Sequence, residues 1–255
     1  MLTGAFLLSS FSMAIAHPFD NSLFQSGESL LQQKLFGIRL PWFRHDRTPA
    51  PEDRRRGGAT RDQCPPTGDR LVTALVPSDK PDLPNEYNPT ISSRPELLFY
   101  IPFTADQART VEFVMINENE EELYRGRVPL INTPGIIRIQ LPDGFALEED
   151  QSYRWVFSVI CNPENRSGDI TMNGWVRRVR PDNDLEGIES ASLRDQAIAY
   201  ANERLWHETL SALAELRLQN PQDEEVLQAW KELLTNVGLE DIAEEAIAPC
   251  CVLQQ

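Results

Sequence analysis

Between Leu71 and Val179 the sequence is cut into short apolar runs by Pro, Gly, Asn and Asp, and this punctuation limits the folds open to the chain. The runs are "LVTALVP" (71–77), "LLFYIPF" (97–103), "TVEFVMI" (110–116), "ELYRGRVPL" (122–130), "GIIRIQL" (135–141), "SYRWVFSVIC" (152–161) and "DITMNGWVRRV" (169–179). Successive strand side chains point to opposite faces, so alternation marks a half-buried strand. In "TVEFVMI", Val111, Phe113 and Met115 share one face; in "SYRWVFSVIC", Tyr153, Trp155, Phe157, Val159 and Cys161 do. Short strands with turn signals between them predict an antiparallel, immunoglobulin-like β-sandwich over residues 61–183. A parallel α/β sheet is excluded on this reading, because no helical pattern of crossover length separates the runs. At Gly174 the apolar phase slips from Ile170 and Met172 to Trp175 and Val179, which predicts a β-bulge.

Cys161 falls on the core-facing side of its strand, and Cys64 lies just ahead of the first strand in "RDQCPPTGD". In an oxidising compartment two such cysteines can bridge, tying the start of the domain to a central strand. A loop of that length gives a disulfide roughly 3–5 kcal/mol in the chain-entropy account. Two independent buried thiols are the alternative. Cys250 and Cys251 are adjacent in the tail 249–255, where a vicinal bridge, a link between two chains or a frayed end are all compatible with the sequence.

After Asp184 the period changes. "SLRDQAIAYANERLWHETLSALAELRLQN" spaces Ile198, Ala201, Leu205, Trp206, Leu210, Leu213 and Leu216 by three and four, which predicts one amphipathic helix. Asn220-Pro221 reads as an N-cap followed by the first residue of a second helix over 221–236, with Gly238 as its stop. A short third helix is expected within 239–247. Residues 184–248 are therefore expected to form a helical hairpin whose apolar stripe packs on the strands.

The other end of the chain differs again. Residues 2–16 carry no charge, and Ala14-Ile15-Ala16 fits a signal-peptide cleavage pattern before His17. Residues 17–60 mix Pro, Gly, Ser and charge, and read as a flexible linker. Its Arg54, Arg55, Arg56 and Gly57 could grip an anionic surface, but a solvated hinge is the plainer account. No stretch is long and apolar enough to span a bilayer.

The formal net charge of −15 argues against nucleic-acid binding, which needs a basic surface. The three histidines, His17, His45 and His207, are far apart, and His207 beside Trp206 reads as a half-exposed surface residue. No Gly-x-Ser-x-Gly, His-Glu-x-x-His or phosphate-cradling loop occurs. "DNDLEGIESASL" begins like a calcium loop but has Leu193 at the twelfth position, where a bidentate Glu is needed. "NENEEE" (117–122) could offer oxygens to calcium, though a solvated hairpin turn accounts for it more simply. No cofactor and no metal are expected.

"CPPTGDRLVTALVPSD", "LLFYIPF", "EFVMINENEEELY", "LEEDQSYRWVFSVICNPENRSGDITMNGWVRRV" and "LWHETLSALAELR…LLTNVGL" occur in order over roughly residues 54–245. Together they resemble the cyanobacterial exported family known as domain of unknown function 928. The resemblance implies export, a photosynthetic bacterial host and the two cysteines matched here by Cys64 and Cys161. It implies no activity. The expected role is a non-catalytic envelope or periplasmic module, periplasmic or extracellular, that binds a protein or polysaccharide partner. Trp42, Trp175 and Trp206 are the candidate partner-binding aromatics. A carboxylate-based hydrolase of cell-envelope material is the alternative. Acids of raised pKa gathered in one cleft would favour the enzyme, and an aromatic platform or open sheet edge would favour binding.

Overall fold

Among the described residues, eight strands and three α-helices follow one another in chain order. They are β1 (Thr73–Ala74), β2 (Asn88–Thr90), β3 (Glu96–Ile101), β4 (Thr110–Asn117), β5 (Glu122–Pro129), β6 (Gly135–Gln140), β7 (Ser152–Ile160), β8 (Ile170–Arg178), α1 (Leu193–Asn202), α2 (Trp206–Gln219) and α3 (Glu224–Asn236). The computed structural model describes residues 55–57, 64–65, 69–77, 88–108 and 110–248. The strands form two sheets, ordered β1-β3-β6 and β2-β8-β7-β4-β5. Each of the seven apolar runs contains a strand.

The two sheets share one apolar interior. Leu97, Phe99 and Ile101 of β3 meet Val111, Phe113 and Met115 of β4 and Tyr153, Trp155, Phe157 and Val159 of β7. Phe99 stacks on Phe157 at 4.0 Å and meets Trp155 edge-on at 5.5 Å. The opposite face of the three-stranded sheet is buried as well: Leu98, Tyr100 and Ile136 pack with Trp206, Leu210, Leu213, Trp230 and Leu234 of the helices. Burial on both faces is why "LLFYI" is an unbroken apolar run instead of an alternating one. One charge is carried into that seam. Arg138 of β6 donates to Glu96 and to Glu215 of α2, both at 2.9 Å.

Five details depart from the sequence reading. β2 was not expected, and it runs parallel to β8, with Pro89 opposite Arg177. It is a short edge strand, the one place where a proline without an N–H is tolerated. No bulge occurs at Gly174: the β7–β8 register runs through Trp155↔Gly174 without a shift, and the irregularity lies instead at Met115/Ile116 of the β4–β5 pair. Gly174 occupies an inward position because the Trp155 indole fills the space. A Cβ there would lie 2.3 Å from Trp155 Cζ2.

The predicted single long helix is two, α1 and α2. Arg204 takes φ 61°, and the N–H groups of Arg204 and Leu205 donate to the carbonyls of Ala201 and Tyr200. That is a Schellman ending built on arginine. The same pattern closes α3 at Gly238, whose N–H and that of Leu239 donate to Thr235 and Leu234. Finally, α3 starts at Glu224 and not at Pro221, because the Asp223 carboxylate takes the Glu225 and Val226 N–H groups. Residues 239–247 hold only one short 3-10 turn, Glu240–Ile242.

Both edges of the three-stranded sheet are closed by single residues. Arg56 bridges Thr73 on the β1 side, and Ile247 bridges Ile136 on the β6 side. Flanking bonds support them, from Ala74 N–H to the Arg55 carbonyl and from Ile136 N–H to the Ala246 carbonyl.

Candidate functional site

The described helices pack on the three-stranded sheet and, through Glu208 and Thr90, on β2 at the edge of the five-stranded one, whose outer face is turned away from the shared interior. Cross-strand register sets its side chains in rows. Arg127, Glu112, Ser158 and Thr171 make one row; Arg125, Val114, Val156 and Asn173 the next; Ile116, Arg154 and Trp175 a third. Arg177 follows Trp175 two residues along β8 and so shares its face.

Glu112 anchors the first row. Only 5% exposed, it accepts from Arg125 Nη1 at 2.8 Å, Arg127 Nε at 3.1 Å and Arg166 Nη2 at 3.1 Å. Burial pushes its pKa up, and the hydrogen bonds from Arg166 and Arg127 with the charges of Arg166 and Arg125 more than reverse this, leaving it lowered. A carboxylate held ionised by three guanidinium groups is a brace and not a proton donor. Arg166 also bonds Asp169, which ties the brace to the β7–β8 turn.

In the third row Trp175 is half-buried beside Arg154, and Arg154 pairs with Glu120. Arg177 makes no salt bridge among the described residues, and its Nε is buried without a partner.

A second group lies at the start of α2. His207 is 2% exposed, which corrects the half-exposed reading. Burial lowers its pKa to about 4, against the opposing effect of a hydrogen bond with the Glu96 backbone, and its Nε2 has no partner. Glu208 Oε1 accepts from Thr90 Oγ1 at 2.5 Å, Ile91 N–H at 2.9 Å and Ser92 N–H at 3.1 Å, so it pins the β2–β3 connection to the helix. Burial raises the Glu208 pKa despite these bonds. Tyr200 is raised too, by burial first and then by the charges of Glu208 and Glu189.

The remaining sequence candidates separate cleanly. Cys64 and Cys161, 97 residues apart, form a disulfide packed against the shared interior. Trp206 is not a surface aromatic: it is 1% exposed, and its indole N–H donates to the Leu75 carbonyl at 2.8 Å. Trp42, Arg54, Cys250 and Cys251 lie outside the described residues, as do the expected leader and most of the expected linker.

Arg55 and Arg56 are neither anion-gripping nor solvated. Arg55 is buried and donates to the carbonyls of Val76 at 3.1 Å and Val237 at 2.7 Å, neutralising the end of α3. Arg56 forms a two-pronged pair with Asp241, both contacts at 2.9 Å. The acidic turn after β4 is closed by Asn117, whose Oδ1 takes the Asn119 and Glu121 N–H groups. Sequence reasoning missed the Glu112 brace, although a lone acid facing "RGR" in alternating phase was a usable signal.

A family model described as Domain of Unknown Function (DUF928) matches residues 56–247. No curated protein and no solved structure matches. Among the described residues no helix is long and apolar enough to cross a membrane.

Proposed function

We propose, on the premise that this chain belongs to the DUF928 family, that it is a non-catalytic module of the cell envelope that binds a protein or glycan partner through the outer face of its five-stranded sheet. The observation that carries this reading is the cross-strand placement of half-buried Trp175 beside Arg154, with Arg177 on the same face of β8. The same proposal puts the chain in the periplasm or outside the cell of a cyanobacterium, with its leader cut before His17. The Cys64–Cys161 bridge suits such an oxidising compartment. It also includes the finer architecture, an immunoglobulin-like sandwich followed by a helical hairpin. The interior shared by the sheets supports the sandwich, while the parallel β2–β8 pair and the third helix mark departures from it.

The hydrolase reading draws on Glu208, an acid whose pKa burial raises beside Tyr200. Glu112, Glu122 and Glu215 are lowered, with arginine hydrogen bonds acting on each, so the acids of raised pKa do not gather as a pair among the described residues.

The test uses the full chain and isolated envelopes of its host. Wild-type protein should co-sediment with the envelope and Trp175→Ala should not, with both retaining the disulfide. Equal retention of the two proteins refutes the binding reading. Turnover of envelope material that disappears in Glu208→Gln would establish the hydrolase instead.

A further inference from the structure

We infer that residues 249–253 run alongside β6 as a parallel strand, so that the far edge of the three-stranded sheet is covered by the protein's own tail. Residues 249–255 lie outside the described residues, and the observations that point to this strand all lie ahead of them.

The chain reaches β6 already in register. Arg217 Nη2 donates to the Glu245 carbonyl at 3.2 Å and the Trp230 indole N–H to the Ala243 carbonyl at 2.9 Å, which aims the segment after the Glu240–Ile242 turn at the sheet. Gly135 lets it come close: a Cβ there would stand 2.8 Å from the Ala246 carbonyl oxygen. The Ile136 N–H then donates to the Ala246 carbonyl at 2.7 Å, and the Ala248 N–H donates to the Ile136 carbonyl at 2.8 Å, the two bonds of a parallel bridge. Along an antiparallel pair, residues alternate between facing the partner strand and facing away from it. Ile136 faces away from β3, so Arg138 and Gln140 turn their N–H and C=O groups to the same edge. Beyond the pairing of β6 with β3, Gln140 has no backbone partner among the described residues.

Continuing the bridge sets Pro249 opposite Arg138 and Cys251 opposite Gln140. The bonds then run through the residues between. Arg138 meets the Ala248 carbonyl and the Cys250 N–H, and Gln140 meets the Cys250 carbonyl and the Val252 N–H. Pro249 stands where its missing N–H points away from β6, the position an edge strand tolerates.

The side chains agree with this register. Ala248, 4% exposed, packs in the interior shared by the sheets, and Ile247 packs on the helical side. Extended backbone onward puts Cys250 and Val252 inward, level with Ile139 and Leu141, and Cys251 on the other face beside exposed Gln140. "AIAPCCVL" (246–253) is apolar at every position, as Leu97–Ile101 of β3 is, and that is the pattern of a layer enclosed on both faces. A bridge between two cysteines needs their Cβ atoms roughly 3.5–4.5 Å apart. Neighbours in a strand point to opposite faces, so this strand keeps Cys250 and Cys251 as separate thiols.

The test compares the full-length protein with a chain ending at Ala248 by hydrogen exchange, read at the Gln140 amide. That amide should exchange at least tenfold faster in the shortened chain, while those of Ile137 and Ile139, which face β3, keep their rates. Two proline variants read the register. Cys250→Pro removes an N–H that serves Arg138 and should release Gln140 as truncation does; Cys251→Pro removes one that points away and should leave Gln140 protected. In full-length protein with the Cys64–Cys161 bridge intact, a thiol reagent should label Cys251 at least tenfold faster than Cys250. Equal exchange of Gln140 in the long and short chains, equal effects of the two prolines, or a Cys250–Cys251 bridge found by mass spectrometry overturns the inference. Protection of Gln140 that falls on dilution assigns the edge to a second copy of the chain and overturns it as well.

Discussion

The two sheets are made of similar residues and live in different surroundings. The three-stranded sheet is enclosed on both faces, by the other sheet on one side and by helices on the other. The five-stranded sheet gives one face to the shared interior and carries arginines, Glu112, Asn173 and Trp175 on the other. Enclosure on both sides removes any role for alternation, so β3 is apolar at every position from Leu97 to Ile101. At the edge of the five-stranded sheet alternation is kept, so β5 reads exposed and buried in turn from Leu123 to Pro129, while β4 beside it is buried from Val111 to Met115.

The sharpest way to break this contrast is to truncate the two faces of β3 separately. Phe99→Ala removes the inner ring that stacks on Phe157, and Leu98→Ala removes a side chain facing the helices. Each should cost about 3–5 kcal/mol in denaturant unfolding, because each leaves a cavity in a closed layer. A cost below about 1 kcal/mol for Leu98→Ala would show that the helices do not seal that face.

The helical side carries a second, pH-dependent signature. His207 is held neutral, with its pKa moved from an ordinary 6.5 to about 4. The unfolded chain therefore takes up a proton first as pH falls, and stability drops between pH 6.5 and 4 by about 3 kcal/mol from this group. His207→Met should flatten that part of the curve of unfolding free energy against pH, whereas Asn173→Ala, which removes no titrating group, should leave its shape unchanged. The smallest effect belongs to the outer face: Asn173→Ala should shift stability by no more than about 0.5 kcal/mol. A larger loss would mean that this face is packed after all.

How much of this was legible depends on whether a residue's reason was local. The seven runs, the acidic turn at Asn117 and the stop at Gly238 were readable, since alternation, a side-chain turn and a glycine in the left-handed region act within a few residues. Arg204 performs the same office as Gly238 with no glycine to announce it, so the break between α1 and α2 was invisible. Gly174 was noticed and misread, because its reason, the Trp155 indole on the neighbouring strand, is not local. His207 was misplaced for a related cause. α2 buries eight of its fourteen residues, being held by both the sheet and the other helices, and a helix covered from more than one side has no simple apolar stripe. Of the outer face, Trp175 was singled out from the sequence, while its neighbours Arg154 and Arg177 became visible only through strand register.

The bridges at Arg56 and Ile247 carry a practical consequence. They coincide with the limits of the family match, and they cap opposite margins of the layer that is enclosed on both faces. A protease or a cloning boundary that trims either one bares unpaired amides on β1 or β6. Fragments cut that way should pair with copies of themselves along the bared edge, and one that stays dispersed needs Arg55 and Ala248 as well, whose backbone groups pair with Ala74 and Ile136.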